Sequence, residues 1–251
     1  MRIIFHHPLP VKGGASSASG IRPFRMLEAF QALDCEVDLV CGCASDRKRG
    51  IAKIKENIKR GLKYDFVYSE SSTMPTVLTE RHHLPVHPFI DWMFFRFCNR
   101  RNIPIGLFYR DIYWAFSYDN DSFKGIKASV AKAAYFFDLW VYRLTLSKLY
   151  LPSIEMGHYV PIVDPKIFQA LPPGHNLSHG MGNVCSSEAG VLKLFYVGGM
   201  SAHYELQKLF SVVRELPQVE LIVCTREAEW AAVRNSYPDL TFNIKVIHKT
   251  G

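Results

Sequence analysis

The chain has 251 residues, 48% of them apolar, and 30 Lys and Arg against 23 Asp and Glu give it a net charge of +7. That apolar share excludes an intrinsically disordered chain, and no apolar run approaches the roughly 20 residues that a membrane-spanning helix needs. Residues 1–150 hold 22 Lys and Arg against 14 Asp and Glu, whereas residues 151–251 hold 8 against 9, so an anionic partner is expected on the first part; nucleic acid, anionic lipid and phosphorylated substrate all remain open at this level.

The first predicted element is a buried strand, Arg2 to His6, cut short by Pro8 and Pro10. A start of this kind has no secretory leader pattern and predicts a cytoplasmic protein. A small-residue loop containing Gly13 and Gly14 follows, then a helix from about Ile21 with Phe24, Leu27, Phe30 and Leu33 at helical spacing. A strand that turns through glycines into a helix presents backbone N–H groups and a partial positive charge to an anion, which makes Gly13 and Gly14 candidate phosphate contacts. Glu36–Cys41 reads as a second strand. A helix from about Asp46 to Leu62 carries Ile51, Ile54, Ile58 and Leu62 on one face among eight Lys and Arg. Such a helix either packs on the core with a solvated basic face or lies on anionic lipid.

Tyr64–Glu70 is the third strand, ending in Ser71, Ser72 and Thr73. Ligands of open α/β sheets meet the carboxyl ends of the strands, so Glu70 and Ser71 are candidate cleft residues. Pro85 interrupts the segment that holds His82, His83 and His87, so it offers no helical i, i+4 metal pair and reads as a loop beside the cleft. An aromatic helix from Pro88 to about Asn102 precedes the fourth strand, Pro104–Tyr109. That strand delivers Arg110 and Asp111 to its carboxyl end, as a phosphate-holding pair or as a rim ion pair. A long apolar helix from about Ser122 to Thr145 and a fifth strand, Lys148–Ser153, follow. The six cysteines, Cys35, Cys41, Cys43, Cys98, Cys185 and Cys224, form no CxxC pair and no zinc spacing, and read as reduced thiols.

From Pro161 to about Val191 prolines, glycines and serines mark a linker. The strand–glycine–helix grammar then recurs: Leu192–Val197, Gly198 and Gly199, and a helix from about His203. A strand at Val219–Cys224, a helix from about Glu227 to Ser236 and a strand at Asn243–Ile247 complete the pattern. The expected organisation is a domain at 1–160, a linker at 161–191 and a shorter, incomplete domain at 192–251, the two domains facing a cleft. No helix-turn-helix, zinc-finger or RNA-recognition signature accompanies the basic residues, so no nucleic-acid partner is expected.

In order and spacing, these motifs resemble the GT-B-fold glycosyltransferases, in particular the retaining family 4 type. The resemblance is carried by Gly13-Gly14, Tyr68-Ser69-Glu70, Tyr109-Arg110-Asp111, Leu151-Pro152-Ser153 and Phe195-Tyr196-Val197-Gly198-Gly199. It implies two Rossmann-like domains, and transfer of a sugar from a nucleotide-diphosphate donor to a hydroxyl of a polysaccharide, glycan or lipid-linked acceptor. It also implies that no metal is required, because helix starts, amides and basic side chains hold the diphosphate. On this reading Arg110 and Asp111 are catalytic, Gly13, Gly14, Gly198, Gly199 and Lys208 lie at the donor phosphates, and Glu70 and Ser71 lie on the acceptor side. Peripheral contact with the inner face of an anionic membrane would suit the basic first part. The sequence departs from the family where Gly199 replaces a basic residue, where about Tyr204 replaces a lysine that Lys208 could stand in for, and where Arg110-Asp111 replaces a His-Asp pair. The family's paired glutamates, which hold donor sugar and ribose, would fall beyond Gly251, so weak activity of this chain alone is expected. The alternative is a degenerate transferase-like module that binds a glycan, a membrane surface or a partner without catalysis.

Overall fold

The structure, a computed structural model, describes residues 1–14, 18–80, 82–116, 126–174, 190–200 and 206–248. The chain divides into two compact units, Met1–His175 and Asn176–Gly251, each built on its own parallel sheet.

The first unit holds β1 (Arg2–His7), α1 (Ala18–Ala32), β2 (Glu36–Cys41), α2 (Ala44–Lys59), β3 (Phe66–Glu70), α3 (Ile90–Asn99), β4 (Ile105–Phe108), α4 (Ile126–Thr145), β5 (Lys148–Leu151) and β6 (Phe168–Ala170). The strand order is β2-β1-β3-β4-β5-β6, all parallel. Strand alternation divides the core in two. Ile4, Val67, Ile105 and Leu107 face α2, α3 and α4 through Ile54, Phe94, Phe95 and Leu139, while Phe5, Tyr68 and Phe108 face Met26, Leu27 and Phe30 of α1. Covering both faces is what an all-parallel sheet requires. The order reverses between β1 and β3, which places the switch-point crevice at the ends of those two strands.

Most predicted elements lie within a few residues of their expected bounds. Two differ. The first helix begins at Ala18, ahead of Ile21, and contains Pro23. The stretch read as linker from Pro161 instead supplies a 3-10 turn at Pro165–Ile167 and then β6, which pairs with β5. A three-residue strand beside prolines has too little periodicity to be read from sequence. The expected helix start at 122–125, the loop serines at 16 and 17, Cys185, the helix start at 203 and Tyr204 lie outside the described residues.

The second unit holds β7 (Leu192–Val197), α5 (Gln207–Arg214), β8 (Val219–Cys224), α6 (Glu227–Val233) and β9 (Ile244–Ile247), with strand order β7-β8-β9. Its core lies on one face: Phe210 and Val213 of α5, Trp230 and Tyr237 pack against Leu194, Tyr196, Leu221, Val223 and Ile244. On the other face Phe195 and Val197 are 64% and 67% exposed.

Candidate functional site

The carboxyl ends of β1, β3 and β4 gather the polar side chains of the first unit. In each strand, neighbouring residues point to opposite faces, so two buried networks sit back to back.

On the α3 side, His6 lies between Ser69 and Asp91: Nδ1 is 2.8 Å from Ser69 Oγ, and Nε2 is 3.0 Å from Asp91 Oδ1. Arg47 from α2 closes the far end on Asp91 at 3.0 Å and also donates to the carbonyls of Pro8 and Gly42. Burial pushes the Asp91 carboxyl up, but the His6 hydrogen bond and the Arg47 charge outweigh it and hold it below the usual carboxylate range. All four residues are buried. The network ties α2 and α3 to the sheet and offers no reactive group to solvent. Nearby, Asp138 of α4 accepts from the Thr76 backbone N–H at 2.7 Å, and burial pushes its carboxyl up to about 7.

On the α1 side, Glu70 is the centre, with none of its surface exposed. Tyr68 donates its hydroxyl to Oε1 at 2.9 Å; the Arg22 Nε lies 3.5 Å from Oε1, and an Arg110 terminal nitrogen lies 3.6 Å from Oε2. Burial raises the Glu70 carboxyl, opposed by Arg22, Tyr68 and Arg110. Arg22 is held from its other side by the ring of Phe108, 3.6 Å from its guanidinium carbon, a cation–π contact. Arg110 donates to the carbonyl of Ser19 at 3.1 Å. Pro23 explains that acceptor: a proline has no N–H, so the carbonyl four residues earlier lacks its usual helical donor, and Arg110 supplies one.

These groups border a cavity of about 210 Å³ lined by His7, Ser19, Ser72, Thr73, Arg110 and His83, with Leu9, Met74 and Thr79. His7 donates from Nδ1 to the carbonyl of Glu70 at 3.0 Å, since a carbonyl can only accept. Burial lowers its pKa to about 4, so at neutral pH the ring is uncharged, with Nε2 as its acceptor nitrogen. Asp111 accepts from Thr73 Oγ1 at 3.0 Å, and its carboxyl is raised by burial.

The predicted residues thus fall into distinct settings. Arg110 reaches the cavity, and Asp111 braces its Thr73 wall. Glu70 is wholly buried, its carboxylate held by Tyr68 and the two arginines and not among the lining residues of the cavity. Ser71 is also buried, its Oγ accepting from the Arg110 backbone N–H at 3.0 Å. Gly13 and Gly14 are exposed on the turn after β1. Gly14 has φ +78°, which favours glycine, and a Cβ on Gly13 would lie 3.2 Å from the Phe24 ring. In the second unit Gly198 and Gly199 follow β7, but Tyr196 folds over them: its hydroxyl donates to the Gly199 carbonyl at 2.8 Å and lies 2.7 Å from where a Gly198 Cβ would stand. Lys208 is exposed on α5. Three residues were missed by sequence reasoning: Arg22 and Asp91 carried one faint signal, a polar side chain set among apolar neighbours in a helix otherwise read as core, whereas His7 stood just past the first strand as read, between His6 and Pro8.

His82, His83 and His87 make separate contacts, to the Leu84 N–H, the Leu78 carbonyl and Lys48. Among the described residues, no group of three His, Cys, Asp or Glu side chains could hold a metal ion.

No family model and no curated protein matches the chain. Solved structures do. The apo form of the lipopolysaccharide outer core galactosyltransferase WaaB aligns with 100% of this chain and 68% of its own at 10% identity and a TM-score of 0.51. MurG of Acinetobacter baumannii aligns at 8% identity and TM-score 0.45 over 99% of this chain and 65% of its own. The glycosyltransferase SnogD from Streptomyces nogalater aligns at 14% identity and TM-score 0.45 over 100% and 72%. The chain therefore spans about two thirds of the length of the structures it matches. This chain has the GT-B architecture of two parallel-sheet, Rossmann-like units, with the second sheet the smaller.

Proposed function

We propose that this protein is a glycosyltransferase of the retaining, family 4 kind, moving a sugar from a nucleotide-diphosphate donor to a hydroxyl of a glycan or lipid-linked acceptor. The observation that carries the reading is the cavity at the β1/β3 switch point, where Arg110, neutral His7, Ser19, Ser72 and Thr73 line one space. A guanidinium, an acceptor nitrogen and several hydroxyls suit a polyhydroxylated acceptor: His7 Nε2 takes a hydrogen bond from a sugar hydroxyl, and Arg110 steadies negative charge as the glycosidic bond to the diphosphate breaks. Glu70 and Arg22 hold Arg110 in place. Gly13, Gly14, Gly198, Gly199 and Lys208 are assigned to phosphate contacts, with no metal in the reaction.

The test is transfer from a panel of nucleotide-diphosphate sugars to mixed glycan and lipid-linked acceptors, with and without chelator. Turnover that survives chelation and falls on the order of 100-fold in Arg110→Lys and Arg110→Ala supports the reading. Turnover indifferent to Arg110 overturns the site assignment.

A second reading, binding without catalysis, is favoured by one feature. Tyr196 occupies the glycine turn of the second unit, where a diphosphate would need open backbone amides. Calorimetry separates the readings: no heat with any nucleoside diphosphate, for wild type and Tyr196→Ala alike, favours the binding module.

A further inference from the structure

The first unit carries a surface that sugar transfer does not use. Between α2 and α3 runs a groove of about 520 Å³ lined by Ile51, Val86, Phe89, Met93 and Phe94, with Lys48 and Lys55 on its rim. Its apolar edge is unusually open: Leu84, Val86, Phe89 and Met93 are between 50% and 61% exposed. The same apolar surface continues onto α4. Phe89 meets Trp92 and Phe137, and Trp92 meets Trp140, which is 41% exposed.

Basic residues frame it. Lys48, Lys55 and Lys59 recur at helical spacing along one stripe of α2, with Ala52 between them. Arg96 lies over Trp92, and Lys55 and Arg101 lie over Phe97. The acidic residues of α2 are engaged elsewhere, Glu56 with Arg60 and Asp46 with Arg49. Asp91, on α3, is buried beneath the surface against Arg47 and His6. Lys53 belongs to a different face, where it pairs with Asp38 of β2 at 2.8 Å.

We infer that this face, the groove between α2 and α3 with its continuation onto α4, docks the protein on a bilayer rich in anionic phospholipid. Charge complementarity selects that occupant. An apolar groove fringed by lysines, with tryptophans at its edge and no Asp or Glu among its lining residues, matches the layered chemistry of an anionic membrane: phosphates outside, acyl chains within. Phe89 and Met93 enter the acyl boundary, Trp92 and Trp140 sit at headgroup depth, and Lys48, Lys55 and Lys59 meet the phosphates. None of the described helices is long and apolar enough to cross the bilayer. The inference stands apart from the transferase reading, since it uses none of the cavity residues.

The experiment is flotation of the purified chain with vesicles of phosphatidylcholine alone or with phosphatidylglycerol, together with quenching of its tryptophan fluorescence by phospholipid brominated along the acyl chain. Wild type is expected to float only with the anionic vesicles, to be released by 0.5 M salt as screening requires, and to be quenched. Lys48→Glu/Lys55→Glu is expected to lower partitioning on the order of 100-fold. Met93→Gln weakens it without altering the charge, and Trp140→Phe removes part of the quenching. Lys193→Glu/Lys245→Glu in the second unit leaves it unchanged. Circular dichroism verifies that each variant is folded. Wild type that stays with the soluble fraction, equal flotation on neutral vesicles, or a folded charge-reversal variant that floats as wild type does would each overturn the inference. The quenching arm needs no variant, so a poorly folding mutant does not shield the proposal. Flotation reports nothing about turnover, so its failure leaves the transferase reading standing.

Discussion

The two units solve the same problem with different completeness. In the first, six parallel strands are covered on both faces, and charges are drawn inward: Glu70 between Arg22 and Arg110, Asp91 between Arg47 and His6. In the second, three strands are covered on one face, and its described ion pairs, Arg226–Glu229 and Arg234–Asp239, lie at the surface. Among the described residues, buried carboxylates paired with arginines are found in the first unit alone, beneath two apolar layers, while the charges of the second unit stay at its surface.

Substitutions can break or sharpen that contrast. Asp91→Ala strands the Arg47 guanidinium in the core and should cost about 3–5 kcal/mol in urea unfolding; a loss under 1 kcal/mol would mean that the first unit's buried charges do not hold it together. Arg110→Ala removes one of two cations from Glu70 and should cost about 2 kcal/mol besides its effect on turnover. Asp138→Asn tests burial through pH. A carboxyl at about 7 in the fold and near 3.8 when unfolded binds more protons in the native state between those values. Its contribution is thus present at low pH and lost as pH rises toward 7 and beyond. The asparagine variant should gain on the order of 2 kcal/mol relative to wild type at pH 8 and lose that advantage near pH 4, in unfolding curves at both values. His7 has the opposite sign: held at about 4 in the fold, it weakens stability as pH falls below 6.5.

The second unit should respond more weakly. Asn243 donates to the carbonyls of Val213, Leu216 and Val219 at 2.8, 3.1 and 3.0 Å, so Asn243→Ala should cost about 1–2 kcal/mol by leaving those acceptors short of a donor. Phe195→Ser, on the open face, should change stability by less than about 0.5 kcal/mol. A large loss there would show that the face is covered in solution and would erase the contrast.

The alternation of strands and helices was legible in the sequence because the central strands carry short apolar runs, such as Ile3-Ile4-Phe5, Phe66-Val67-Tyr68 and Leu221-Ile222-Val223. Leu192–Val197 and Val219–Cys224 have in the structure the bounds read from the sequence. The strand-end rule likewise brought Glu70, Ser71, Arg110 and Asp111 together at the edge of the cavity. What the sequence hid was partnership. That Glu70 is sealed depends on Arg22 arriving from α1 and Arg110 from beyond β4, and nothing in local spacing announces pairs separated by scores of residues. The second glycine turn has a partner that the sequence hid for a related reason. Two glycines promise open amides, but an aromatic residue two or three positions earlier can bend back and fill the space they leave, as Tyr196 does.

Pro23 has a consequence for the walls of the cavity. Its nitrogen carries no hydrogen, so the Ser19 carbonyl receives no i+4 helical bond, and the side chain of Arg110, 91 positions further along the chain, donates to that carbonyl. One guanidinium thereby ties the opening turn of α1 to the segment after β4, so a substitution at Arg110 disturbs two cavity-lining segments at once.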